Sequence, residues 1–359
     1  YIRNSRSIGS SASVLERSRA RTRYKGLQGF LTYNTGGVTT GVFFSGSPDL
    51  ASQVRHRSFV MAAKTANNLV SGFRKCVDLC NDAAGLRGTY IPFEVEGTTV
   101  GFILPSFASH LMEHGDVFKA TEAGLQLSSD LATPEARTEA VANVLAGLRD
   151  CGLVPGWRDE LFPVATSFSA EPALLIERAA ASLFGIKAYG VHINGWVRRQ
   201  DGSRAMWVAR RSRTKQTWPG MLDHIVAGGQ PHGISPTENV VKECGEEAGV
   251  PPALAAAARP AGAVSYECVN TDGGLKRDVM FVYDLELPEG FAPEPQDGEV
   301  EEFFLWPVER VMQVVAEGGH YKPNCAIVII DFLMRHGYVA PEEEGYLELL
   351  AGLRQGECS

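Results

Sequence analysis

The sequence has no run approaching the ~20 apolar residues that would cross a bilayer, because Arg, Glu or Gly breaks its longest apolar stretches well before that length. No membrane span is expected. It also lacks any C-x-x-C pair. Its seven cysteines, Cys76, Cys80, Cys151, Cys244, Cys268, Cys325 and Cys358, are odd in number and scattered, which suggests neither a disulfide framework nor a zinc ribbon. They read as reduced thiols. Cys76 and Cys80 share a helical face at four-residue spacing but have no histidine nearby, so they read as core residues. An excess of positive charge is missing too. A formal charge of −8 argues against a broad nucleic-acid surface and is compatible with an enzyme that gathers carboxylates around a cation.

Acids are scarce in one stretch. Residues 1–60 hold nine Lys or Arg and ten Ser, against only Glu16 and Asp49, with no secretory apolar core. That is the bias of an organelle transit peptide, chloroplast ahead of mitochondrion, and the alternative is a disordered basic tail on a cytoplasmic protein. The remaining length suits two domains rather than one oversized core.

Folded patterning begins near Ala66, with Leu69, Val70, Phe73, Val77 and Cys80 at helical spacing. Tyr90–Val95 and Thr99–Leu104 read as strands around a Glu96-Gly97 turn, and Pro105–Glu113 as a helix. Thr133-Pro134 opens another helix that Gly152 closes. Residues 66–183 therefore form an α+β accessory domain. The loop Pro155–Glu160 is polar enough to carry function, though a surface connection with a packed Trp157 is the plainer reading. From Phe184 to about residue 340 the pattern is strands flanking an acidic helix. They include Tyr189, Val191 and Ile193 in alternation, Ala205–Arg210, Val264–Val269 and Val279–Leu287, with a last helix from a capping Asn324 to His336. Strands so flanked imply a mixed sheet sandwiched by helices, with residues 341–359 as a C-terminal extension.

The acidic helix carries the chemistry. Ser235 is a good N-cap, Pro236 fits the first helical position, and Glu238 completes a capping box, while Gly249 before Pro251 and Pro252 ends the helix. At roughly 100° per residue, Val240, Val241, Cys244 and Ala248 gather on one side and Glu243, Glu246 and Glu247 on another. Three carboxylates so spaced repel one another by roughly a few tenths of a kcal/mol per pair. A hard divalent cation such as Mg²⁺ or Mn²⁺ would remove that repulsion, and a merely solvated acidic face is the competing reading. Gly228, Gly229 and Gly233, just ahead of the helix, let backbone approach a ligand closely and suit phosphate oxygens. Gly245 within the helix costs up to ~1 kcal/mol against Ala and has no explanation in the sequence.

The segment from Gly228 to Val250 resembles the Nudix box, G-x5-E-x7-R-E-U-x-E-E-x-G-U with U aliphatic. Glu243, Glu246, Glu247 and Gly249 stand at its R-E-U-x-E-E-x-G positions and Gly228 at its first glycine. Ile234 replaces the box's first Glu and Lys242 its Arg. Those two pair with each other in the family, so their joint change points to a lost structural ion pair rather than a lost metal ligand. The resemblance implies a Nudix α/β/α sandwich in which Glu243, Glu246 and Glu247 bind Mg²⁺ or Mn²⁺, with Glu243 and Glu247 also serving catalysis.

A wider resemblance rests on Phe184–Ile186, Tyr189–Gly195, Trp218–Asp223, Val226–Gly229 and Lys322–Cys325. These are similar to the thiamine-pyrophosphokinase-related Nudix proteins of plants and fungi, which join an N-terminal accessory domain to a Nudix domain. It implies hydrolysis of a small organic diphosphate, thiamine diphosphate or its oxidised or deaminated derivatives, to a monophosphate and phosphate. Trp218 is the first candidate to stack on the substrate ring and His192 a candidate phosphate contact, though packing roles compete for both. Glu299, Glu301 and Glu302 could supply a carboxylate from a facing loop. Alternatives are a nucleoside diphosphatase acting on 8-oxo-dGDP, a non-catalytic diphosphate-binding module, and an isopentenyl-diphosphate isomerase. The last would need a cysteine soon after Gly220, which Val226-Ala227 does not offer.

Overall fold

The computed structural model describes the backbone of residues 29–35 and 38–44, and then residues 69–357. Within the first unit, residues 1–62, β1 (Gly29–Thr35) and β2 (Val38–Phe44) pair antiparallel from Gly29 opposite Phe44 to Thr35 opposite Val38. This hairpin is not legible in the basic, serine-rich composition. The transit-peptide expectation for 1–60 otherwise lies outside the described residues.

The second unit opens with helix α1 (69–80) and continues through β3 (Ile91–Val95), β4 (Thr98–Ile103), α2 (Pro105–Leu111), β5 (Phe118–Ala120) and β6 (Leu125–Leu127). Glu96 and Gly97 both hold positive φ, 50° and 74°, the conformation a tight two-residue hairpin demands. The four strands run in the order β4-β3-β6-β5. Helix α3 (Pro134–Asp150) starts where its sequence signals place it, with Thr133 accepting from Ala136 N at 3.2 Å. The hairpin β7 (Leu161–Val164) and β8 (Leu174–Glu177) closes this half. Phe184 sits fully buried in its core, edge-on to Phe93 at 5.1 Å and to Phe107 at 5.7 Å, so the start of the expected second domain packs into the first.

A seven-stranded mixed sheet follows. Its strands are β9 (Lys187–Arg198), β10 (Arg204–Arg211), β11 (Leu222–Asp223), β12 (Val226–Gly229), β13 (Arg259–Val269), β14 (Leu275–Leu287) and β15 (Val300–Pro307). β9 is central, parallel to β14 on one side and antiparallel to β12 and then β10 on the other. Between β12 and β13 come α4 (Pro236–Ala248) and the short α5 (Pro252–Ala255). After β15 come α6 (Val308–Glu317), α7 (Pro323–Arg335) and α8 (Tyr346–Gly352). The alternation in β14 sorts its side chains: Tyr283, Leu285 and Leu287 pack with Val240, Cys244 and Ala248 of α4, whereas Met280 and Val282 face the layer containing α6 and α7. The sheet is thus covered by helices on both faces, as its strand pattern implied.

Three features differ from the linear reading. Helix α1, first in the accessory half by sequence, buries Phe73 and Val77 in the same core as α6 and α7. A Cβ on Gly72 would lie 2.2 Å from Ala316 O, so glycine permits that approach. Residues 341–357 complete the core rather than trailing from it: Leu349 and Leu353 are buried, and Ser265 N donates to Leu353 O at 3.0 Å. Finally, α7 starts one residue before the expected cap. Pro323 takes its first position, Lys322 stands at the N-cap without a side-chain bond, and Asn324 is buried in the first turn.

Candidate active site

Helix α4 begins with the full capping box: Ser235 accepts from Glu238 N at 3.2 Å, and Glu238 Oε2 accepts from Ser235 N at 2.8 Å. Gly249 ends it in the left-handed conformation, φ 60°. The preceding loop is held from within. Asn239, wholly buried, donates to Gly229 O at 2.7 Å and to Gln230 Oε1 at 3.2 Å, and Gln230 Nε2 donates to Ile234 O at 2.7 Å. Neither Asn239 nor Gln230 stood out in the sequence. The available signal was position, because Asn239, Glu243 and Glu246 share one helix stripe at i, i+4 and i+7.

The helix carboxylates meet the glycine strand β12. Glu247 is buried and its Oε2 accepts from Ala227 N at 3.1 Å; burial, and then the neighbouring Asp223, push its carboxyl well above the ordinary range. Glu243 lies so close to Gly228 that a Cβ there would stand 2.3 Å from its Cδ. Burial raises the Glu243 carboxyl against the pull of Lys242, and Glu246 and Glu160 add to the rise. Lys242 Nζ reaches Glu243 Oε1 at 3.2 Å and Glu246 Oε2 at 2.7 Å. Ile234 offers this lysine no partner, and its ammonium pairs with the helix glutamates instead. The donor set would fit a hard divalent ion: it offers carboxylate oxygens only, one of them buried.

The other face of β12 looks into a cavity of about 490 Å³. His192, opposite Ala227 in the β9–β12 register, lies at its wall with Gly228, Gly229, Asn324 and Lys322, and Arg158, Phe162 and Arg178 enter from the accessory half. Gln216 and Thr217 line this space but Trp218 does not. Trp218 is 42% exposed at φ 53° and offers its carbonyl to Arg211 Nε at 3.1 Å. Gly233, at φ 92° in the turn before Ser235, also lies away from the cavity lining. Glu299, Glu301 and Glu302 each face a cation, in Lys215, Arg213 and Arg210 respectively.

Beneath the cavity is a buried polar cluster. Among the described residues, the trio whose metal-ligating atoms all lie within 4.8 Å of one another is His192, His224 and Cys325, not the helix glutamates. Its charge is already answered. Burial acts to raise the Asp223 carboxyl, but Lys322 and Arg211 outweigh it and hold the group well below the usual range. Asp223 accepts from Arg211 Nη1 at 2.6 Å and from Cys325 Sγ at 2.6 Å. Burial lowers the basicity of both histidines, so each is neutral at pH 7. Two cations against one carboxylate leave no electrostatic call for a buried dication here.

The NUDIX domain family matches residues 188–324, and a "Domain of unknown function (DUF4743)" matches residues 72–188. The chain is 48% identical over 299 residues to "Nudix hydrolase 20, chloroplastic" of Arabidopsis thaliana, covering 81% of this chain and 79% of that protein. Against "Nudix hydrolase 24, chloroplastic" of the same plant it is 48% identical over 292 residues, covering 81% and 80%. A shorter similarity, 29% over 133 residues and 37% of this chain, reaches the isopentenyl-diphosphate Delta-isomerase of Klebsiella pneumoniae and covers 68% of that protein. The chain belongs to the Nudix hydrolases. It is an enzyme of phosphate anhydrides in small molecules, within a family that generally uses divalent metal ions.

Proposed function

We propose that the chain is a diphosphatase acting on thiamine diphosphate and, preferentially, its oxidised or deaminated derivatives, releasing a monophosphate and phosphate. The observation that carries the reading is the placement of β12. One face of its glycine pair meets the carboxylates of α4, and the other meets a cavity large enough for a heterocycle. Glu243, Glu246 and Glu247 would hold Mg²⁺ or Mn²⁺. When bound, the ion supplies charge neutralisation for the diphosphate and acidity for water. Around it, the chain's own groups position the substrate. Gly228 and Gly229 present backbone without a side chain, and Asn239 fixes that backbone. A carboxylate of the Glu243–Glu247 set accepts the proton of the attacking water. His192 and Asn324 line the cavity and offer polar contacts to the substrate. The basic, serine-rich residues 1–60, together with the chloroplastic names of two relatives, support a plastid location.

The test is kcat/KM for oxythiamine diphosphate, thiamine diphosphate, 8-oxo-dGDP and ADP under one metal condition, with a chelator control. A site built to pair a ring's polar groups rejects the wrong ring by several kcal/mol. An 8-oxo-dGDP value tenfold above the thiamine compounds would replace the substrate, and full turnover in excess chelator would remove the metal.

A further inference from the structure

We infer that the accessory half is part of the substrate site: Arg178, braced by Phe162 and Glu160, forms an anion-binding wall against the glycine strand and holds a phosphate of the diphosphate. The inference rests on the diphosphatase reading for the identity of the anion. Gly228 and Gly229 are consecutive in β12 and so turn toward opposite faces of the sheet. The first leaves room for Glu243. A Cβ on the second would stand 3.0 Å from Phe162 Cζ and 3.4 Å from Arg178 Cζ and Nη1. The space that a side chain would fill at Gly229 is therefore taken by the accessory half.

Arg178 is equipped for an oxyanion. Its guanidinium lies 5.4 Å above the Phe162 ring, and Nη1 donates to Glu160 Oε2 at 2.6 Å. That bond uses one of five N–H donors, and 41% of the side chain stays exposed on a cavity it lines. A planar fork fixed on an aromatic face matches the geometry of phosphate oxygens. Arg158, hydrogen-bonded to Gln216 across the same gap, and Lys322 add positive charge to the cavity. The diphosphate would then lie between Arg178 on one side of the strand's edge and the glutamates on the other.

The experiment uses the full chain and the non-hydrolysable probe methylenediphosphonate with Mn²⁺, read by calorimetry. Arg178→Ala should raise its Kd by roughly tenfold to a hundredfold, the usual worth of one or two charge-assisted bonds. KM for thiamine diphosphate should rise by a similar factor, with kcat falling less than threefold. Glu160→Gln is the second arm because it frees the guanidinium without removing it, and it should tighten the probe at least twofold. Equal Kd values for wild type and Arg178→Ala, or no tightening in Glu160→Gln, would overturn the inference. If the wild type turns over no diphosphate while the probe still separates it from Arg178→Ala, the catalytic reading fails and the anion wall stands.

Discussion

Replacing Gly228 by alanine separates stability from catalysis at one atom. The added Cβ would meet Glu243 at 2.3 Å from Cδ and 2.7 Å from Cγ and Oε1, where carbon atoms in contact stand roughly 3.5–4.0 Å apart. The carboxylate must therefore retreat by roughly 1 Å or more. Retreat is cheap for the fold, because the atoms to be moved are the end of a flexible side chain. Gly228 also has no positive φ to forbid alanine. Overpacking of about 1 kcal/mol is offset in part by the lower entropy of the unfolded chain, so stability should change by less than about 1 kcal/mol. Metal geometry is far less forgiving. Mg²⁺ holds oxygen at about 2.0–2.1 Å, and a misplacement of about 1 Å at a reacting centre costs on the order of a hundredfold. We expect a Tm close to wild type, Mn²⁺ affinity reduced by at least tenfold in a spin-resonance titration, and kcat/KM reduced by about a hundredfold. Mn²⁺ affinity and kcat/KM both within threefold of wild type would refute Glu243 as a ligand.

Further outcomes follow from other positions. Glu247→Gln should weaken Mn²⁺ binding and abolish most turnover without unfolding the chain, whereas Glu238→Gln should lower Tm through the capping box and leave metal affinity alone; a Glu247→Gln enzyme of normal activity would count against the ligand set. Gly245 is an exposed helix residue whose Cβ would meet nothing within 4 Å, so Gly245→Ala should add about 0.5–1 kcal/mol in urea unfolding, and no gain would mean the glycine serves something other than packing. His224 has its pKa lowered from 6.5 to about 4 by burial, and by Lys322 against Asp223. The unfolded state therefore takes up a proton that the folded state refuses: stability is full above pH 6.5 and is lost as pH falls toward 4, by about 3 kcal/mol. His224→Gln should flatten that part of the pH profile, and an unchanged slope between pH 6.5 and 4 would show that other groups carry it. Removing residues 1–57, so that the chain begins at Ser58, should leave kcat/KM within twofold.

Helix α4 was legible because its signals are local. Ser235, Pro236, Glu238 and Gly249 act within one turn of where they stand, and the structure finds each in the predicted role. The cores were less legible. Helix α1 and residues 341–357 are far apart in sequence yet complete one hydrophobic layer with α6 and α7, and periodicity shows which face of a helix is apolar but not what covers it. Phe184 is a clear instance: a composition change placed it at the start of the second domain, while its ring is the hub of the first. The cavity was least legible of all. Its accessory wall comes from Arg158, Phe162 and Arg178, separated from Gly228 and Gly229 by some fifty or more residues. The Pro155–Glu160 loop is a surface connection with a packed Trp157, and it also borders the cavity. Trp157 packs beneath Arg149 at 4.8 Å, while Arg158 faces the cavity.

Charge gives those accessory cations a physical reason. The chain carries −8 overall, so a diphosphate approaching from solvent meets a net repulsion, although salt confines that field to about 8–10 Å. Capture must come from charge within that distance of the glycine strand. The hydrolase half lines the cavity with Lys276, Arg277 and Lys322 against Asp272 and Asp278, but its cations are already engaged, Arg277 by Glu357 and by Gly185 O. Lys276 is paired with Asp278 at 3.3 Å, and Lys322 lies 3.9 Å from Asp223. The accessory half adds Arg178, braced by Glu160, and Arg158, which bonds the neutral Gln216 and so brings the margin of positive charge. A Nudix helix supplies cation-binding carboxylates wherever it folds. What turns an acidic chain into a receptor for an anionic substrate is the second surface laid against it.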